Sequence, residues 1–252
     1  MREQTMAPTS VQVEARPSAL ELDTRETAVV VVDMQQGFFG AGGVWNRLGV
    51  DVSIAQPIIA ATARVLATAR EVGMPIVYAT MDLDSPSDPG AMPGYWTEER
   101  RSRWVAAGQP IQPLQPLDHA GHLPPGVRES DILPELAPQS GETIIVKPRH
   151  SAFYNTRLDR ILKQIGVTTL IFTGGTTSIC VESTLRDAFF RDYRCLLLAD
   201  CTAEPIGNRL PRTNHEATLL LVELVYGWVA ESSAFVHALG DRSATLGVAH
   251  AV

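Results

Sequence analysis

The apolar residues of this chain alternate between two rhythms. Ala28-Val29-Val30-Val31-Val32 and Pro75-Ile76-Val77-Tyr78-Ala79-Thr80 are short, nearly unbroken apolar runs, the pattern of strands buried on both faces. Between them, Ile54 to Val72 spaces its apolar positions at helical intervals, and Gly73 is placed as a C-cap. Strand, helix, strand in this order predicts a parallel sheet with right-handed crossovers. The alternation returns after Pro138. It predicts strand Thr143–Lys147, helix Thr156–Ile165, strand Thr168–Thr173, helix Ile179–Asp192 and strand Cys195–Asp200. A helix over Pro211–Val225, a short strand at Gly227–Ala230 and a helix over Ser232–Leu239 complete the series. The fold class is α/β, with a central, mostly parallel sheet of about six strands.

The remaining stretches lack such a rhythm. Residues 1–24 read as an N-terminal arm, 25–240 as one domain, and 241–252 as a loose tail. Within the domain, the loop after Asp33 is rich in glycine (Gly37, Gly40, Gly42, Gly43, Gly49). An irregular insertion with prolines and tryptophans (Trp96, Trp104) spans about 81–138. A loop of that length serves as a lid, a substrate wall or a subunit contact, or it simply covers the sheet.

Composition narrows the class. A net charge of −7 leaves no basic footprint, so a nucleic acid partner is not expected. The start of the chain has no apolar signal-peptide core, and no stretch approaches the ~18 uninterrupted apolar residues of a membrane span. Three cysteines, Cys180, Cys195 and Cys201, make no disulfide framework. A cytoplasmic protein without a membrane association is the expectation.

Strand ends carry the candidate chemistry. In a parallel sheet all C-terminal strand ends share one edge. Asp33, Lys147 and the turn leading to Cys180 each follow a predicted strand, so an acid, an ammonium and a thiol converge there. Of 21 basic residues only Lys147 and Lys163 are lysines, and a compact ammonium enters a tight site that a planar guanidinium would not fit. Cys180 sits in Gly174-Gly175-Thr176-Thr177-Ser178-Ile179-Cys180-Val181-Glu182, between strand and helix, where unpaired amides and the helix dipole favour a thiolate and an oxyanion. Amide hydrolysis needs this set: Cys180 as nucleophile, Asp33 as base and then acid, Lys147 holding the charges, and amides of Thr176 and Cys180 as oxyanion hole. Each member also has a plain structural reading, since lone cysteines are mostly core residues and a strand-end Asp, such as Asp200, is often a cap. Asp118, His119 and His122 form the only local metal-like cluster and read as a solvated loop, so no metal and no cofactor are expected. A redox role would need a resolving cysteine, and neither Cys195 nor Cys201 forms a C-x-x-C with Cys180.

Val30-Val31-Val32-Asp33-Met34-Gln35, Lys147-Pro148-Arg149 and the Gly174–Glu182 segment together resemble the isochorismatase-like cysteine hydrolases. The resemblance runs from about Ala28 to Leu239. It implies a three-layer α/β/α, Rossmann-like fold, an Asp33–Lys147–Cys180 triad, and a non-proline cis peptide between Gly175 and Thr176. Gly42-Gly43, Leu48-Gly49-Val50-Asp51-Val52-Ser53, Lys147 to Thr156 and Tyr226-Gly227-Trp228-Val229 are most similar to the ureidoacrylate amidohydrolases. Biuret hydrolases and N-carbamoylsarcosine amidases are slightly more distant. The sequence departs from the ureidoacrylate type at His150, where those enzymes carry tyrosine, and at Thr176-Thr177-Ser178, which is closer to the carbamoylsarcosine type. Cys180 argues against vinyl-ether cleavage, and Met81-Asp82-Leu83-Asp84-Ser85-Pro86 lacks the histidines of a metal-dependent nicotinamidase. The resemblance implies a small ureido, carbamoyl or amide substrate, cleaved through a thioester in a homodimer or homotetramer, with Phe38 and Thr177 among the substrate-binding candidates. Arg149, His150 and Tyr154 follow the strand that delivers Lys147 and are placed to line the pocket's mouth, where Arg149 either meets a small carboxylate or pairs with an acid of this chain or of a neighbouring subunit. A biuret-type or other neutral amide hydrolase, and a catalytically idle binding member of the fold, are the alternatives.

Overall fold

The computed structural model describes residues 9–47, 50–83, 122–207 and 210–248, with side chains as far as 240. Trp96, Trp104, Asp118 and His119 lie outside the described residues, as does most of the insertion. The elements in chain order are β1 (Ser10–Val13), β2 (Leu20–Asp23), β3 (Thr27–Val32), α1 (Gln36–Phe39), α2 (Val44–Arg47), α3 (Ala55–Glu71), β4 (Ile76–Thr80) and β5 (Thr143–Val146). Then come α4 (Leu158–Gln164), β6 (Thr169–Gly175), a π-helical turn (Thr177–Val181), α5 (Glu182–Phe189), β7 (Arg194–Ala203), α6 (Asn214–Leu221), β8 (Trp228–Ala230) and α7 (Ser232–Val248).

Six strands form one sheet in the order β5-β4-β3-β6-β7-β8, every neighbour parallel. Alternate residues of the apolar runs serve opposite faces, as the strand period of two requires. Val29 and Val31 of β3 join Ile76, Tyr78, Ile171 and Leu196 in one core with α3 and Phe235 of α7. Ala28, Val30 and Val32 join Val77, Ala79, Leu170 and Phe172 in a second core with Leu158, Leu162 and Leu185 of α4 and α5. Helices thus cover both faces, which is the three-layer arrangement expected from uninterrupted apolar strands. The segment Val52–Glu71 is long and apolar enough to cross a membrane, but its apolar face, including Ile59, Val65 and Leu66, belongs to the first core.

Two departures from the sequence pattern stand out. The stretch before Thr24 carries regular structure: β1 and β2 pair antiparallel, and Val13, Leu20 and Leu22 are buried in the first core. Arg16 then pairs with Val229, N–H to O at 2.8 and 3.0 Å in the two directions, covering the outer edge of β8. The final helix also runs past Leu239 to Val248.

The sheet order reverses between β3 and β6, which lie side by side although the chain visits β4 and β5 between them. Ligand sites of open parallel sheets form at this crevice, outside the strand C-termini. Gly174 makes the close approach possible. Its φ is +111°, and a Cβ there would stand 2.0 Å from the Val32 carbonyl oxygen.

Candidate active site

Each of the three expected groups follows a strand end or the turn after one. Asp33 follows β3 with a left-handed φ of 51°, its N–H donating to the Ala79 carbonyl at 2.8 Å. That conformation is uncommon for a side-chain-bearing residue, though aspartate tolerates it better than most. Lys147 follows β5 at the sheet edge, its N–H donating to the Thr80 carbonyl at 2.8 Å. The lysine stem passes over the end of β4, and Nζ meets Asp33 Oδ2 at 2.8 Å. Both side chains are essentially without solvent contact, at 0% and 1% exposure. Nζ also donates to the Arg149 carbonyl at 3.2 Å. Cys180 reaches the same place from β6 through the cis Gly175–Thr176 peptide and the π-helical turn, and is 6% exposed.

Burial sets the protonation states. It pushes the Asp33 carboxyl above the usual carboxylate range, against the pull of Lys147 and the Cys180 thiol, so Asp33 is a stronger proton acceptor than an exposed aspartate. Burial lowers the Lys147 ammonium, but Asp33 and Cys180 more than offset this and hold it above its ordinary value. The Cys180 thiol is pushed far up, by burial first and by the Asp33 charge second. Burial and the Asp33 carboxylate thus work against the thiolate that the position at a helix start favours, and they favour the thiol. Cys195 and Cys201 are buried thiols that burial pushes up to about 12.

Several residues that the sequence pattern did not single out hold the turn that carries Cys180. Glu204, just past β7, accepts from the Ser178 N–H at 2.8 Å and the Ile206 N–H at 3.1 Å. His215 Nδ1 is bonded at 3.0 Å to the hydroxyl of the buried Thr177, an expected substrate-binding residue. Thr184 accepts from the Ala152 N–H at 3.1 Å and donates to the Cys180 carbonyl at 2.7 Å, tying the segment after Lys147 to the cysteine. Gln35 is fully buried, donating to the carbonyls of Met81 and Ser130 and accepting from the Met81 N–H, so it joins the ends of β3 and β4 to the insertion. Gln35, a polar residue two positions past Asp33, is a signal that the sequence does carry.

The other expected site residues are spread more widely. His150 turns Nδ1 to Cys180 Sγ at 3.6 Å. Thr176 is 2% exposed at the base of the turn. Phe38 packs on Trp45 with ring centroids 4.7 Å apart, and the ring beneath Gly175 is that of Phe39. Arg149 donates to the Pro148 carbonyl at 2.7 Å and lies 5.8 Å from the Tyr154 ring, with Tyr154 itself exposed. Asp200, also at a strand, accepts from the Ser232 N–H and hydroxyl at the start of α7, the capping role. Among the described residues no three His, Cys, Asp or Glu side chains are grouped to hold a metal.

A six-stranded parallel sheet with acid, ammonium and thiol at its switch point defines an α/β protein with a buried thiol centre. The isochorismatase domain model matches residues 27–233, and the chain belongs to the isochorismatase family. It is 37% identical over 235 residues to the ureidoacrylate amidohydrolase RutB of Methylobacterium radiotolerans, covering 92% of this chain and 87% of that protein. Identity to the RutB of Serratia proteamaculans is 33% over 238 residues, covering 94% and 92%. Among solved structures, a cysteine hydrolase from Pseudomonas syringae pv. phaseolicola superposes with a TM-score of 0.64 at 24% identity, covering 87% of this chain and 95% of that one. N-carbamoylsarcosine amidase from Thermoplasma acidophilum gives 0.57 at 27% identity, covering 82% and 96%. The chain is a hydrolase acting on amide C–N bonds.

Proposed function

We propose that this enzyme cleaves the C–N bond of a small ureido or carbamoyl compound through a thioester on Cys180. The buried Lys147–Asp33 pair at 2.8 Å, beside the buried Cys180 thiol, carries the reading. Asp33 accepts the thiol proton as Sγ attacks the carbonyl carbon. The C–N bond then breaks, and Asp33 returns that proton to the departing nitrogen, one carboxyl serving as base and then acid. Lys147 stays cationic throughout and keeps the carboxylate and the nascent thiolate charged in a poorly hydrated space. Amides of Thr176 and Cys180 receive the developing oxyanion. Water releases the acyl group and restores the thiol.

Similarity to ureidoacrylate amidohydrolases and to an N-carbamoylsarcosine amidase supports a ureido or carbamoyl substrate. Arg149 and Tyr154, on the segment that follows Lys147, suit recognition of a substrate carboxylate. Turnover of ureidoacrylate by the wild type and by Cys180→Ala is the direct test. Loss of all but a trace of activity, with an acyl group on Cys180 in the wild type by mass spectrometry, is expected. Retained turnover in Cys180→Ala would refute the thiol mechanism.

A further inference from the structure

The polar neighbours of Cys180 Sγ include one that the mechanism above leaves unused. His150 Nδ1 stands 3.6 Å from the sulfur. The imidazole sits on a stretch fixed at both ends. Lys147 Nζ holds the Arg149 carbonyl on one side, and the Ala152 N–H is bonded to Thr184 on the other. Ser151 is anchored as well, through its hydroxyl to the Asp187 carboxylate. The ring is half-buried, so it exchanges protons with solvent while touching a buried atom.

We propose that His150 is a second proton carrier at Cys180 and serves the release of the acyl group, while Asp33 serves its formation. The inference rests on the covalent reading above. Release requires a C–S bond to break at a site where the free thiolate is strongly disfavoured, so sulfur must receive a proton as it departs. A neutral imidazole does this by carrying one proton, which Nδ1, the nitrogen facing sulfur, takes from the attacking water and passes on to Sγ. In the balanced step, the water O–H bond breaks and its proton goes to Nδ1. The hydroxide oxygen bonds the carbonyl carbon, the C–S bond breaks, and the same proton passes from Nδ1 to Sγ, which returns the ring to its neutral form. No oxidant, metal or further reactant enters. The charged groups facing the ring are Lys147, Asp33 and Arg149. Burial first, then Lys147 and Arg149, hold the imidazole below its ordinary range, with Asp33 opposing, so the ring is neutral at neutral pH.

The test uses 4-nitrophenyl carbamate with wild type, His150→Asn and His150→Gln. Its burst of 4-nitrophenolate reports carbamoylation of Cys180, and its steady rate reports release. Both variants should keep the burst amplitude and a burst rate within about threefold, which also shows that the site is folded. Their steady rate should fall on the order of a hundredfold or more, with carbamoyl-Cys180 accumulating. The wild-type steady rate should decline as His150 is protonated below the ordinary imidazole range, and the variants should lack that acidic limb. Burst and steady rates falling in equal proportion would make His150 a substrate-positioning residue and overturn the proposal, as would an unchanged steady rate. Failure of the underlying reading looks different: Cys180→Ala would still turn over, and no carbamoyl group would form on wild-type Cys180.

Discussion

Replacing Lys147 by Met separates the stability of the site from its chemistry. Methionine keeps most of the stem but removes the ammonium that lies 2.8 Å from Asp33 Oδ2, with both groups closed to solvent. Removing one partner of a buried pair typically costs 3–5 kcal/mol, because the other charge is left uncompensated. Asp33 has an escape, which is to take up a proton. Holding an aspartate neutral at pH 7 against an unfolded pKa near 3.9 costs about 4 kcal/mol, so this caps the loss. The sign follows from linkage. In Lys147→Met the folded-state pKa of Asp33 lies above its unfolded value, so the folded form binds the extra proton. Stability is fullest below the unfolded pKa and falls with rising pH until the folded pKa is passed. For a domain of this size a loss of about 4 kcal/mol lowers Tm by about 8 °C. Urea and thermal denaturation at pH 5 and pH 7 should therefore show a small deficit at the lower pH and a large one at the higher. Asp33→Asn/Lys147→Met should recover most of the stability and none of the activity, since neither base nor ammonium remains. A Lys147→Met deficit that is flat with pH, or that Asp33→Asn does not relieve, would refute the account of the pair.

Two further outcomes test how the fold and the pocket mouth serve this centre. Gly174→Ala should lower stability by about 3 kcal/mol or more, because its Cβ would meet the Val32 main chain at 2.0 Å at a φ of +111°. Denaturation together with kcat would read this, and a variant that folds and turns over normally would show that the β3–β6 contact can open without cost. Arg149→Ala should raise KM strongly for ureidoacrylate and little for biuret, a neutral amide, if Arg149 meets a substrate carboxylate. Equal losses on the two substrates would remove Arg149 from the pocket and favour a neutral amide as the natural substrate.

The apolar runs betray the sheet because strands covered on both faces need no polar positions, and β3, β4 and β6 are such strands. The β1–β2 hairpin instead alternates apolar and polar positions through Val11, Val13, Leu20 and Leu22, but its strands are only four residues each and Pro17 stands between them. Glu204 lies beyond the strand end expected at Asp200, because β7 runs on to Ala203 after a register shift that no residue type announces. Strand ends show which groups converge, but they do not show depth, and depth is what pushes the Cys180 thiol up. They also conceal reach. Lys147 leaves the edge strand β5, two strand spacings of about 4.8 Å each from β3, with β4 between. A long, unbranched stem is needed to cross that gap, and its head must be small enough to end between a carboxylate and a thiol. Arginine has the length, but its planar fork carries five donors into a space that offers one carboxylate and one carbonyl as acceptors for the present ammonium. A buried donor without an acceptor is costly. The scarcity of lysine elsewhere in this arginine-rich chain thus acquires a physical reason at position 147: the sheet order sets the distance, and the crowded centre sets the size of the charge that can stand at its end.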